Sequence, residues 1–156
     1  AFIEKGHILH GACRSAGEIA YMRVPAGRLH DVASATYLCR EMACKKAADP
    51  EKVDGRTCFA WVRQGDATAA AVLDTFCQNL ADGLANIACL CNPDGIVLGG
   101  GIMAQEDILR PKLETALAAR LPAMMLPPKG LAFAKRQNDA GMLGALYLLL
   151  HRKGSY

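Results

Sequence analysis

Long basic runs are missing from this chain: no stretch of Lys or Arg exceeds two residues, and the net charge is only +3 over 156 residues. Nothing in that balance implies nucleic acid or an anionic membrane surface as a partner. Apolar runs are short as well. None approaches the roughly 18 residues a membrane span needs, and Tyr147 to Leu150 is far too brief. No basic-then-apolar leader precedes the body, so neither a signal peptide nor a membrane partner is expected. The chain opens on Ala1-Phe2-Ile3 without Met, and the expectation is a trimmed start or a fragment. Nucleophile-elbow, Ser/His/Asp and His-Glu-x-x-His patterns are all absent. So are the Walker A loop and the Gly-x-Gly-x-x-Gly dinucleotide pattern. There is no internal repeat and no low-complexity tract.

Cysteine is not scarce, but its seven occurrences are odd in number. The close pair Cys89-x-Cys91 has no second Cys/His pair at metal-ligand spacing. Reduced, buried thiols in a cytoplasmic protein are therefore expected, and no metal site. With 52% hydrophobic and 21% charged residues the chain is ordinary globular material, enough for one domain or one lobe of something larger.

In chain order, Phe2 to Leu9 predicts a tight hairpin turning at Gly6, and Glu18 to Val24 a further strand. Leu29 to Ala43 predicts a helix with Val32, Ala33, Thr36, Tyr37 and Met42 inward, and Thr57 to Gln64 a short one. Asp66 caps the longest element, which runs to Cys91 with a stripe of Leu73, Phe76, Cys77, Leu80, Leu84, Ile87 and Cys91. Ile96-Val97-Leu98 then predicts a short, fully buried strand. Glu106 to Arg120 is an amphipathic helix, Leu131 to Ala134 a second buried strand, and Asn138-Asp139 the start of a final helix to about His151. Gly141 and Gly144 give that last helix a smooth face. The second half thus alternates as a parallel α/β unit does.

The strand at Ile96 opens onto Gly99-Gly100-Gly101. Three glycines at the carboxyl end of a buried strand let a backbone approach a ligand closely, which is where open α/β sheets bind theirs. The same triplet is also compatible with a bare strand-to-helix turn. Glu18, after the small-residue loop 10–17, is either a hydroxyl-binding carboxylate or a solvated cap. His30, heading a helix, and the isolated Arg14 and Arg23 have ordinary surface readings too.

Three stretches together resemble the ROK family of sugar kinases and sugar-responsive repressors. They are Gly11-Ala12-Cys13-Arg14-Ser15-Ala16-Gly17-Glu18-Ile19, Asn92-Pro93-Asp94-Gly95-Ile96-Val97-Leu98-Gly99-Gly100-Gly101-Ile102, and Asn138-Asp139-Ala140-Gly141-Met142-Leu143-Gly144-Ala145. The resemblance implies an α/β fold, the large C-terminal lobe of an actin-like ATPase (ribonuclease H-like) sugar kinase. It implies that residues 1–156 are that single lobe, and that an N-terminal lobe with the catalytic base and phosphate loops is absent from this chain, leaving no catalytic residue here. Asn138-Asp139 matches the final helix start and not the catalytic pair.

By the same resemblance Glu18 matches the family's sugar-binding Glu, with His30 and Tyr21 as further sugar contacts. His30 stands where a second Glu is usual. Gly99, Gly100 and Gly101 match the adenosine side of ATP, with Mg2+ as companion ion. Ala20 and Tyr21 replace the family's Gly-His, and no cysteine loop follows, so no structural zinc is expected. The implied activity of the intact protein is ATP-dependent phosphorylation of a hexose or amino sugar in the cytoplasm, as a homodimer. The alternative is a sugar-sensing repressor with an upstream DNA-binding domain, the one case that brings in nucleic acid.

Overall fold

The computed structural model describes residues 1–136 and 139–151. The chain starts with a hairpin, β1 (Ile3–Glu4) against β2 (His7–Ile8), Ile3 facing Ile8. Lys5 and Gly6 both take positive φ, 50° and 81°, the mirror-image turn that matches strand twist. A loop over residues 9–18 leads to a single 3-10 turn, Ile19–Tyr21, and a second hairpin, β3 (Arg23–Val24) with β4 (Gly27–Arg28). The strand expected from Glu18 to Val24 is therefore mostly a turn. The Glu18 carboxylate accepts the Ala20 N–H, a local bond that competes with a strand ladder.

The helix expected over Leu29 to Ala43 breaks in two: α1 (Leu29–Ala33) and α2 (Ala35–Lys45). Ser34 takes extended backbone angles, and its Oγ accepts the Tyr37 N–H at 3.1 Å, an N-cap in mid-segment. The restart changes the buried face, so Leu38, Met42 and Ala43 are buried while Thr36 is exposed. Asp54 caps α3 (Gly55–Arg63). Asp66 caps α4 (Ala67–Cys91), accepting the Ala69 N–H at 2.8 Å.

Helix α4 is the spine of the molecule. Leu73, Phe76, Cys77, Leu80, Leu84 and Ile87 are all buried along it, and each large side chain contributes about 1.5–3 kcal/mol by leaving water. α1, α2 and α3 pack against it from the first half of the chain, and α5 (Glu106–Ala118) from the second. Arg120, just past α5, binds the α4 side chains of Asp82 and Gln78 and the Gln78 carbonyl. Asn92 in left-handed conformation, φ 41°, ends the spine.

Beyond it β5 (Ile96–Leu98) pairs in parallel with β6 (Leu131–Phe133), Val97 opposite Ala132, with α5 as the crossover. The predicted α/β alternation is borne out, but not the fully buried strands. Val97 is 70% exposed and Ala132 is exposed too. The two-stranded sheet is covered on the face of Leu98 and Phe133, while the other face is open. The last element is α6 (Asp139–His151), and Asn138, its predicted start, lies outside the described residues.

The cysteines depart from expectation as well. Only Cys58 and Cys77 are buried, Cys39 is half-buried, and Cys13, Cys44, Cys89 and Cys91 are exposed. Cys91 belonged to the predicted stripe, but the last turn of α4 projects past its packing partners. Burial pushes the Cys58 and Cys77 thiols up to about 12.

Candidate functional site

The site has two parts, carried by different ends of the spine. On the first, the loop before Glu18 is shaped by glycine. A side chain at Gly11 would stand 3.0 Å from the Ala16 Cβ, and one at Gly17 3.1 Å from the Ala1 backbone. Both have positive φ, so the turn admits no larger residue without strain. Glu18 follows as the cap of the 3-10 turn. Its Oε1 accepts the Ala20 N–H at 3.2 Å, and the side chain is otherwise open to solvent. Tyr21, at the end of the turn, is exposed.

The turn packs on α1, the helix that carries His30. Arg28 donates from Nε to Asp31 Oδ2 at 2.7 Å across the start of α1, and Tyr21 lies close enough to act on the Arg28 charge. The guanidinium holds the Asp31 carboxyl below its ordinary value by hydrogen bonding and charge. α1 is fixed to the spine by two contacts that sequence reading missed. Leu29 packs into the notch left by Gly83, and buried Asn79 donates from Nδ2 to the Val32 carbonyl at 3.0 Å. Glu18 and Tyr21 on the 3-10 turn, and His30 on α1, thus lie on two elements in contact, one of them fixed to the spine.

The second part is the glycine triplet. It sits at the carboxyl end of β5, as the sequence predicts. A Cβ at Gly100 or Gly101 would meet nothing within 4 Å, and one at Gly99 only the Ala134 methyl at 3.6 Å. Gly100 has φ 116° and ψ 165°, a conformation reserved for glycine. The Met103 N–H returns to the Gly100 carbonyl at 3.1 Å and closes a 3-10 turn, Gly101–Ala104, ahead of α5. The 3-10 turn that follows the triplet packs against α3.

An open depression of about 470 Å³ lies at the start of α5, lined by Ala104, Glu106, Asp107, Arg110 and Pro111 and by none of the three glycines. Pro111 lies inside α5 and has no N–H, so the Asp107 carbonyl lacks its usual helix partner. A larger groove of about 570 Å³ between α2 and α4 is lined by Tyr37, Glu41, Lys45 and Thr68 among others. It includes none of the predicted site residues. Among the described residues no three His, Cys, Asp or Glu side chains gather as a metal site would require, and no helix is long and apolar enough to cross a membrane.

An unobstructed glycine turn after a parallel strand, and a separate carboxylate-bearing turn, match the first two segments of the resemblance. The family model described as ROK family matches residues 4–152. This chain belongs to the ROK family. An uncharacterized protein from Clostridium perfringens is 42% identical over 147 residues, which is 94% of this chain and 50% of that protein. A glucokinase from Halalkalibacterium halodurans is 30% identical over 178 residues, covering 98% of this chain and 53% of its own length. The crystal structure of a ROK hexokinase from Thermus thermophilus matches with a TM-score of 0.77 at 26% identity, over 96% of this chain and 53% of that one. The chain spans about half the length of the curated relatives it matches. Its α/β architecture is that of the ROK sugar kinases, the actin-like ATPase fold, over about half of their length.

What sequence reading missed at this ROK site is mostly long-range. Arg63 at the end of α3 donates to Asp107 and Gln105 at the start of α5, 44 and 42 residues away. Asn79 reaches Val32 across 47 residues. An Arg and an Asn on amphipathic helices carry no local signal of either partner.

Proposed function

We propose that this chain is the C-terminal lobe of an ATP-dependent sugar kinase, which transfers the γ-phosphoryl group of ATP to a hydroxyl of a hexose or amino sugar. The reading rests on one observation above the rest: the Gly99–Gly101 turn of a ROK-family chain stands open at the carboxyl end of a parallel strand. The names of the Halalkalibacterium glucokinase and the Thermus hexokinase support the same reaction class.

In this reading the sugar sits against the turn that carries Glu18. The Glu18 side chain accepts hydrogen bonds from sugar hydroxyls through the oxygen capacity that its bond to the Ala20 N–H leaves available. Tyr21 and His30 flank it and add hydroxyl and imidazole contacts. Gly99, Gly100 and Gly101 present bare backbone to the adenosine side of ATP, which supplies the phosphoryl group. Phosphoryl transfer depends mainly on positioning and charge neutralisation, and this lobe contributes the positioning. The catalytic base and the phosphate loops belong to a second lobe, whose closure keeps water from competing for the phosphoryl group. We assign Mg2+ no ligand in this chain, because that ion rides on the phosphates, and we assign no structural zinc. The assembly we propose is a cytoplasmic homodimer.

An ATP-coupled assay of the full-length protein against hexoses and amino sugars tests the reading. Turnover with at least one sugar is expected. Glu18→Gln keeps the shape but loses the charge-assisted bonds, and should lower kcat/KM by about 10- to 100-fold. A folded protein that binds sugar yet never binds or turns over ATP would make it a sensor and overturn the kinase.

A further inference from the structure

We propose that Arg63 is a positioning residue for the nucleotide loop, acting through the segment that follows the glycine triplet. This rests on the kinase reading above. The triplet is built to be open, and openness has a cost in order: glycines hold no side chain to anchor the turn. The turn Gly101–Ala104 has no side-chain cap, and neither does α5, whose N-cap residue Gln105 forms no capping bond of its own. The Gln105 amide oxygen is turned to α3 instead. There it accepts from Arg63 Nη2 at 2.7 Å, while Asp107 takes Nη1 at 2.7 Å and Nη2 at 3.1 Å. One planar guanidinium thus grips the two residues either side of Glu106 with three bonds. Lysine cannot do this with a point charge.

A second, independent contact points the same way. A Cβ at Gly55, the first residue of α3, would stand 3.1 Å from the Ile102 Cγ2. Both ends of α3 therefore touch the segment behind the triplet, the start through packing and the end through the guanidinium fork. The triplet itself is exposed, so its placement over a bound nucleotide is inherited from this segment. Asp107 also lines the depression at the start of α5, together with Ala104 at the end of the turn behind the triplet. The Arg63 and Asp107 side chains are 49% and 60% exposed, so their pairing contributes little to global folding. Its consequence is local order.

The full-length protein is the material for the test. Arg63→Ala, Arg63→Lys and Asp107→Asn are compared with the wild type by steady-state kinetics in ATP and in sugar, and by equilibrium binding of a fluorescent non-hydrolysable ATP analogue. Arg63→Ala should raise the KM for ATP and weaken analogue binding by about tenfold, the range of one to two charge-assisted bonds. The KM for sugar and the melting temperature should stay near wild type. Arg63→Lys should recover only part of the loss. A wild type that binds the analogue while Arg63→Ala binds it equally well would refute the role of Arg63 and leave the kinase reading standing. Parallel losses in sugar affinity, ATP affinity and melting temperature would also refute it, by showing a general structural role. A wild type that binds no analogue would remove the kinase reading and this inference together.

Discussion

Gly100 carries a backbone conformation that only glycine adopts readily. At φ 116° and ψ 165° an L-residue is strained by about 1–3 kcal/mol, although its Cβ would meet no atom within 4 Å. Gly101 has the same open space without the positive φ. Gly100→Ala should therefore lower stability and nucleotide affinity together, while Gly101→Ala leaves the melting temperature nearly unchanged. Equal effects of the two substitutions on thermal unfolding would refute the assignment of strain.

Asp66 acts through charge. Lys46 and the Ala69 N–H hold its carboxyl below the unfolded value of 3.8. A depressed acid stabilises the fold above its unfolded value and loses that contribution as pH falls through the lower folded value. The urea midpoint should drop on acidification below pH 3.8, and Asp66→Asn should flatten that slope while lowering the midpoint at neutral pH. An unchanged slope in the variant would assign the acid limb to other aspartates, of which Asp31, Asp54 and Asp107 are depressed in the same way.

At the scale of elements, the seat of α1 on α4 decides where Glu18, Tyr21 and His30 stand. Gly83 is the notch that receives Leu29. A methyl group there would come within 2.8 Å of both Leu29 Cδ atoms, and Leu29 is only 5% exposed and cannot simply swing into solvent. Alanine in place of helical glycine gains about 1 kcal/mol of propensity, whereas overpacking costs about 1–3 kcal/mol. Gly83→Ala is expected to come out destabilising by about 1 kcal/mol, and trimming the neighbour in Gly83→Ala/Leu29→Ala should make the pair less than additive. Strict additivity in denaturant unfolding would mean the two residues do not compete for space. Asn79 is the polar half of the same joint. Asn79→Ala leaves the Val32 carbonyl without its donor and should cost about 1–3 kcal/mol.

Across the whole molecule, the most visible feature is the apolar surface of α6. Met142 is 69% exposed, Leu149 72% and Leu150 70%, and side chains added at Gly141 or Gly144 would meet nothing within 4 Å. Contiguous apolar surface of this kind is normally covered by protein. Residues 1–156 alone should bind a hydrophobic dye, self-associate in sedimentation, and show no sugar phosphorylation. Detectable sugar phosphorylation by residues 1–156 alone would contradict the division of the site between two lobes.

Periodicity and local chemistry by themselves determined the spine from Asp66 to Cys91, the strand-helix-strand unit after it, and the glycine turn on that strand. These features depend on neighbours in sequence: an Asx cap, a stripe at spacings of three and four, a breaker after an apolar run. Only the tertiary structure decided the rest. The break at Ser34 arises because a serine cap competes successfully with five residues of helical pattern. Val97 and Cys91 are exposed because the neighbours that would bury them are not at those places, which no pattern of apolar residues can report. The Asn79 and Arg63 bonds span more than 40 residues, and their partners are set by how α1, α3 and α5 pack around α4. The residue types of the proposed site are those the sequence offered as candidates. Their anchoring depends on distances between elements, and those exist only once the chain has folded.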